Sequence, residues 1–351
     1  MSEAAYNSRT RRRTDGQRRR RRRRRRFRAG GLLPIVLVIL LACLGLHLRA
    51  AHQFEKERYH ISDRENALAL SVPSGNGRLP AFAEDLCVAD PSGTFSDDGL
   101  ECGAAGLFND TGRTAVCGRN IFQRMHPASI TKVMTALLVL EEGNMDDVVT
   151  VTDASVITEP GASLCGVAPG DRINMRELMY GLLLPSGNDA ANAIAVHMDG
   201  SVEAFAEHMN RRAWELGATG THFTNPSGLT DDAHYTTVYD LYLIFREAMK
   251  HPEFREIIAT PEHDGLFTSS GGLPILKKWE NSNWYLAGKA EVPAGLTVLG
   301  GKTGTTKAAG SCLIMGEQGT GEQEYISVVL NASGREKLYR DMTNIISKAV
   351  N

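Results

Sequence analysis

Residues 126–144, HPASITKVMTALLVLEEGN, constrain the fold of this 351-residue chain more than any other stretch. Ile130, Val133, Met134, Leu137 and Leu138 recur at the spacing of one helix face, and Ala136, Val139 and Leu140 make the remaining faces apolar too. Pro127 suits a first-turn position and Gly143 sits where a helix stops. A helix that is apolar all round holds together only when other elements cover it, so this segment predicts a helix inside a core.

The first turn of that helix carries two polar groups that a buried segment would otherwise avoid. Ser129 and Lys132 are three residues apart and therefore neighbours on one face. The positive end of the helix dipole disfavours a protonated lysine and favours a developing alkoxide, and burial acts on the lysine in the same sense. Lys132 is thus a candidate base and Ser129 a candidate nucleophile. The competing reading is a chance pair with the ammonium reaching out to solvent, because Ser-x-x-Lys is short enough to arise at random. Its companions elsewhere in the chain decide between the two.

A formal net charge of −2 hides an extreme asymmetry. Residues 1–28 hold 14 arginines against Glu3 and Asp15, which leaves the rest of the chain acidic. The run Arg18 to Arg26, with Arg28, is followed by GGLLPIVLVILLACLGLHL, Gly30 to Leu48, 19 residues without a formal charge unless His47 is protonated. That length just spans a bilayer, and the positive-inside rule keeps the arginines cytoplasmic and everything after about residue 49 outside. The expected organisation is a cytoplasmic arginine-rich tail (1–29), a transmembrane anchor or uncleaved signal (30–48), a polar stalk (49–79) and a globular domain (80–351). The arginines beside an apolar span point to anionic lipids rather than to nucleic acid. Cleavage as a signal peptide is an open alternative. So is a lipidated Cys43 in the box-like ILLAC, which would give a secreted or lipid-anchored form.

Within the globular part, AAGLFND and TGRTAV read as strand, turn and strand ahead of the Ser129 helix. Two helical patterns follow, broken at Pro185, Ser186 and Gly187. LTVLGGKTGTTKAAGSCLIMGE and EYISVVLNAS read as neighbouring antiparallel strands, and Leu338, Met342, Ile345, Ile346 and Ala349 form the stripe of a closing amphipathic helix. Cys312 alternates as a core strand residue, whereas Cys87 and Cys102 bracket a turn-rich loop that an oxidising compartment would allow to be closed by a disulfide.

Ser186-Gly187-Asn188 on the helix break and Lys302-Thr303-Gly304 on a strand complete the order Ser-x-x-Lys, Ser-x-Asn, Lys-Thr-Gly. Each alone has a bland reading, as a turn or a strand end; three in order is a strong signal. With the blocks PASITKVMTALL, LLLPSGNDAA, THFTNPSGL, HYTTVYDL and KTGTTKAAGSCL, the sequence from about Ala104 onward resembles the low-molecular-mass penicillin-binding proteins, specifically the serine-type D-alanyl-D-alanine carboxypeptidases. The Glu-x-x-Leu-Asn loop of class A β-lactamases is missing after the second motif, so rapid hydrolysis of a β-lactam acyl-enzyme is not expected.

The resemblance implies an α/β, β-lactamase/transpeptidase-like fold: an antiparallel sheet flanked by helices, with a mostly helical subdomain, here preceded by an N-terminal transmembrane helix. It implies removal of the terminal D-alanine from peptidoglycan stem pentapeptides through a serine acyl-enzyme, with β-lactam antibiotics as covalent inhibitors and a bacterial cell membrane location. Ser129 would be the nucleophile, Lys132 its base and Ser186 a proton relay. Asn188 would hold the acyl side, Lys302 and Thr303 the terminal carboxylate, and Gly304 would let substrate lie against the strand. The N–H groups of Ser129 and Thr305 would form the oxyanion hole. His234, Asn225, Asp189 and Asn192 are expected as scaffold. No cofactor is called for, and the ten histidines include no His-Glu-x-x-His pair, which points away from a zinc peptidase. Two rivals use the same machinery: a D,D-endopeptidase acting on cross-links, and a membrane-tethered β-lactam sensor. The second is disfavoured because the short arginine-rich tail is too polar to fold as an effector.

Overall fold

Strands β8 (Gly310–Gln318) and β9 (Glu324–Ala332) are apolar on both faces, the pattern of strands covered from two sides. They form the middle of a five-stranded antiparallel sheet ordered β2-β1-β9-β8-β7, with β1 (Ala104–Asn109), β2 (Thr114–Arg119) and β7 (Thr297–Thr306). The computed structural model describes residues 86–87 and 99–350, all within one unit, Ala81–Asn351. Side chains alternate across β8: Cys312 and Ile314 enter the core on one face of the sheet, Leu313 and Met315 the core on the other.

Seven α-helices are described: α1 (Lys132–Glu142), α2 (Met175–Leu183), α3 (Asn188–Asp199), α4 (Val202–Glu215), α5 (Val238–Ala248), α6 (Pro252–Ala259) and α7 (Arg335–Ile346). α1 is buried all round from Val133 to Val139, as its composition requires, and packs against α2, α3, α4, α5 and α6. Caps fix its neighbours: Asn174, Ser201 and Thr237 accept from the N–H groups of Arg176, Ala204 and Asp240 and start α2, α4 and α5. α7 covers the other face of the sheet, with Leu338, Met342, Ile345 and Ile346 at most 1% exposed. Its helix ends at Ile346, so Ala349 falls in a following 3₁₀ turn.

Several expectations need correction. The α-helix begins at Lys132, and Ser129 stands before it in a 3₁₀ turn, Ala128–Thr131, because Ala128 takes a left-handed conformation (φ 49°) that an α-helix cannot continue through. The Cys87–Cys102 disulfide is not formed; both thiols are free and buried. Cys87 lies in the core on the α5 side, its thiol donating to the Asn109 carbonyl at 3.2 Å and its N–H to Tyr242 Oη at 3.1 Å. Cys102 lies in the core beneath α7, its N–H donating to Asp341 Oδ2 at 2.8 Å. The two cores line opposite faces of the sheet. A second, four-stranded sheet, β3-β4-β5-β6, was not anticipated; it comprises β3 (Val148–Thr150), β4 (Arg172–Asn174), β5 (Glu262–Thr268) and β6 (Pro274–Glu280). The arginine-rich tail, the 30–48 segment and the 49–79 stalk lie outside the described residues. Among the described residues no helix is long and apolar enough to cross a membrane.

Candidate active site

The 3₁₀ turn that carries Ser129 is gripped by backbone. A Cβ at Gly228 would stand 1.9 Å from the Ala128 carbonyl oxygen, and one at Gly304 would stand 2.9 Å from the Ser129 nitrogen. Only glycine lets the 228 turn and strand β7 approach that closely. Thr131, at the end of the turn, is held by His234, whose Nε2 is 2.8 Å from Thr131 Oγ1. The Thr224 N–H donates to His234 Nδ1 at 3.1 Å, so Nδ1 is the acceptor and the proton sits on Nε2. Burial is the chief cause that pushes this imidazole down to about 4, so the ring is neutral.

Lys132 projects from the first residue of α1 into a fully enclosed position, 0% exposed. Its Nζ is 3.0 Å from Ser129 Oγ, 2.7 Å from Asn188 Oδ1 and 2.6 Å from the Ser227 carbonyl oxygen. Burial, and then the charge of Lys302, push its pKa well below the usual lysine value, against an opposing pull from Asp189. A neutral amine has two hydrogens and one lone pair. Asn188 Oδ1 and the Ser227 carbonyl can only accept, so they take both hydrogens and leave the lone pair for the Ser129 hydroxyl. The arrangement is that of a base ready to receive a serine proton.

Two further devices aim those acceptors. Asn225 Oδ1 accepts from the N–H of Ser227 at 3.2 Å and of Gly228 at 2.8 Å, an Asx turn that points the Ser227 carbonyl at Lys132. Asn188 opens α3, and its N–H donates to the Ser163 carbonyl at 2.9 Å. Next to it, the Asp189 carboxylate accepts from Cys165, Gly166 and Val167, bracing the 163–168 loop against the site. Asn192 donates to the Ala154 carbonyl at 2.8 Å.

Ser186 sits between α2 and α3 in a left-handed conformation, φ 67°. Its hydroxyl is buried and without a hydrogen-bond partner among the described residues. β7 is an edge strand, so the backbone groups on its free side are available for pairing with an extended ligand. Lys302, 1% exposed, donates to the Thr303 carbonyl at 2.9 Å. Burial, reinforced by Arg335 at the start of α7, pushes Lys302 down to about 7. Thr303 Oγ1 lies 2.5 Å from Ser282 Oγ, Gly304 packs on the Ser129 turn, and Thr305 is exposed. A terminal carboxylate placed against Lys302, Thr303 and Arg335 would meet two cations and a hydroxyl.

A sequence profile described as D-alanyl-D-alanine carboxypeptidase matches residues 97–334, which include every site residue named above but Arg335. The chain belongs to that family. Among its relatives, the D-alanyl-D-alanine carboxypeptidase of Streptomyces sp. strain K15 is 32% identical over 70% of this chain and 85% of its own length. The DacF protein of Bacillus subtilis is 30% identical over 68% of this chain, and the DacB2 protein of Mycobacterium tuberculosis 38% over 57%. The chain spans 59% and 64% of the length of those two relatives. The crystal structure of the Streptomyces K15 DD-transpeptidase matches with a TM-score of 0.66 at 30% identity, covering 71% of this chain and 97% of that one.

For a member of this family, the structure brings Ser129, Lys132, Asn188, Lys302, Thr303 and Gly304 to one place, while Ser186 makes no hydrogen bond to any of them. Sequence reasoning missed the Ser227 carbonyl, Ser282 and Arg335. The string TNPSGL announces a turn but not what the turn faces.

Proposed function

We propose that the protein is a serine-type D-alanyl-D-alanine carboxypeptidase that removes the terminal D-alanine from peptidoglycan stem pentapeptides, and that β-lactams acylate the same serine. The observation that carries this reading is the 3.0 Å approach of Ser129 Oγ to a buried Lys132 amine whose two hydrogens are already engaged. Family membership and the names of the relatives support it.

In this reading Lys132 takes the Ser129 proton as Oγ attacks the carbonyl carbon between the two D-alanines. The N–H groups of Ser129 and Thr305 receive the developing oxyanion. The proton then passes from Lys132 through the Ser186 hydroxyl to the leaving amine, the C–N bond breaks, and free D-alanine departs. Water attacks the ester with Lys132 again as base, releasing the shortened peptide and restoring the Ser129 hydroxyl. Because Asn188 Oδ1 is engaged by Lys132, its amide hydrogens are the part left to hold the acyl-side carbonyl. Lys302 and Thr303 hold the terminal carboxylate, which restores the protonated form of Lys302 that burial disfavours.

We also propose that residues 30–48 anchor the chain in the bacterial cell membrane with the catalytic domain outside. The arginine run before 19 uncharged residues supports this, as does a substrate that lies outside the cytoplasm. The full-length protein should then keep its N-terminal arginines and resist extraction from membranes by high salt.

The test of function is D-alanine release from a D-Ala-D-Ala-terminated pentapeptide, together with labelling by a fluorescent penicillin. Wild type should do both, and Ser129→Ala should do neither while melting at an unchanged temperature. Undiminished labelling of Ser129→Ala would remove that serine from the mechanism.

A further inference from the structure

The loop Asn281-Ser282-Asn283-Trp284-Tyr285 touches the Lys-Thr-Gly strand and the start of α7, and its anchors are buried. Asn281 Nδ2 donates to the Ile258 and Thr260 carbonyls at 3.2 and 3.1 Å, and its Oδ1 accepts from the Asn283 N–H at 3.0 Å. Asn283, 0% exposed, accepts in turn from the Tyr285 N–H at 3.1 Å. The Trp284 N–H donates to Tyr339 Oη at 2.7 Å, and the Trp284 ring stacks on Tyr339 and carries the Arg335 guanidinium at 5.6 Å. Ser282 is thus held between two pinned neighbours. Its Oγ lies 2.5 Å from Thr303 Oγ1, and neither hydroxyl has another partner among the described residues. Thr303 sits opposite Leu313 in the β7–β8 register and shares its face of the sheet, the one that α7 covers; Lys302, opposite Ile314, belongs to the other.

Each of these hydroxyls has one hydrogen, so the pair has two settings. If Thr303 donates to Ser282, its hydrogen is engaged and a substrate carboxylate meets only lone pairs. If Ser282 donates to Thr303, the Thr303 hydrogen is free to point elsewhere. We propose that Ser282 is a positioning residue for the terminal carboxylate: it donates to Thr303 Oγ1 and so turns the Thr303 O–H toward the substrate. The inference rests on the carboxypeptidase reading, in which that carboxylate lies against Lys302 and Thr303. A carboxylate can only accept, so its arrival selects the order in which Ser282 donates to Thr303 and Thr303 to the carboxylate. Two hydrogen bonds aligned in one chain strengthen each other. No proton leaves its oxygen in this device; only the direction of donation is set.

The test uses the full-length protein in detergent, with two measurements: D-alanine release from Nα,Nε-diacetyl-L-lysyl-D-alanyl-D-alanine, and the acylation rate with a fluorescent penicillin, whose own free carboxylate takes the place of the terminal one. Ser282→Ala should lower kcat/KM on the peptide about five-fold, carried by KM because the carboxylate is held before and during reaction alike. Ser282→Thr, which keeps the hydroxyl, should stay within about two-fold of wild type. A double-mutant cycle then separates positioning from general loosening of the loop. Ser282→Ala should slow acylation about five-fold when Thr303 is present and cause no further loss in a Thr303→Val background, where there is no hydroxyl to turn. A loss in Ser282→Ala smaller than about two-fold, a Ser282→Thr protein as impaired as Ser282→Ala, or equal losses in the two backgrounds overturns the assignment. A wild-type protein that is neither acylated nor active on the peptide refutes the carboxypeptidase reading and this role with it; one that does both while Ser282→Ala matches it refutes the role of Ser282 alone.

Discussion

Acid should destabilise this protein through one histidine. His234 is 1% exposed, accepts from the Thr224 N–H and donates to Thr131 Oγ1, so both ring nitrogens are committed in the neutral form. A second proton on Nδ1 would face the Thr224 N–H, with the Thr224 hydroxyl at 3.2 Å as the acceptor left to it among the described residues. Burial is the chief reason that its pKa falls from the ordinary 6.5 to about 4. Between those values the unfolded chain binds more protons than the folded one. The stability contributed by the neutral ring is therefore complete above pH 6.5 and lost as pH falls toward 4. The full loss is about 3 kcal/mol, and about 2 kcal/mol of it has gone by pH 5, a large share of the roughly 5–15 kcal/mol that holds a domain together. Urea unfolding at pH 7 and pH 5 reads this directly. His234→Gln keeps a donor and an acceptor but cannot titrate, so its loss between the two pH values should be smaller than that of wild type by about 2 kcal/mol. Parallel losses in the two proteins would refute the argument and place the acid sensitivity elsewhere.

Lys132→Arg should abolish penicillin labelling nearly as completely as Ser129→Ala, since guanidinium stays protonated; near-normal acylation measured by gel fluorescence would defeat the base assignment. Asn225→Ala should slow acylation about ten-fold or more by releasing the Ser227 carbonyl from Lys132, an effect that Asn225→Asp, which keeps the acceptor, should largely reverse in the same labelling time course. Deleting residues 336–351 uncovers the sheet face under Leu338, Met342, Ile345 and Ile346. At roughly 1.5–3 kcal/mol for each large side chain the protein should not show a cooperative melt, and a folded, active truncation would make α7 peripheral.

The residues legible in the sequence are those whose chemistry demands a particular side chain at a particular spacing. Ser129, Lys132, Ser186, Asn188 and Lys302 could be named because each motif combines a reactive group with the turn or strand that displays it. The Ser227 carbonyl could not be named, since every residue has one and only the Asx turn of Asn225 decides where it points. The 3₁₀ turn at Ser129 was hidden by the strong helical periodicity that follows it. Hairpin β5–β6 was hidden for the opposite reason: Leu266, Leu273 and Leu276 are 56%, 70% and 68% exposed, so the alternation that marks a half-buried strand is blurred by apolar residues on the outer face. The Cys87–Cys102 pairing failed because loop spacing carries no information about which face of a sheet each thiol enters. The final helix was legible since a stripe of four large apolar residues has only one way to be buried.

What the fold spends on the site is visible as local cost. Ala128 and Ser186 hold left-handed backbone conformations, at φ 49° and 67°, worth about 1–3 kcal/mol each for residues with a side chain. The Ser186 hydroxyl is buried without a partner among the described residues, and two lysines are buried where each depresses or is depressed by another cation. None of these features stabilises the protein. They persist because the surroundings leave no alternative. α1 is locked in the core along its whole length, Asp189 ties the 163–168 loop with three N–H bonds, His234 fixes Thr131, and Gly228 and Gly304 let backbone close on the Ser129 turn. The strained residues are among those placed to react or stand beside them, as Ala128 stands beside Ser129, and the residues that hold them there are different ones. Reactivity and stability are thus carried by separate side chains within a few ångströms, which is why a positioning residue such as Asn225 or His234 should change both when it is altered, whereas Ser129 should change only the first.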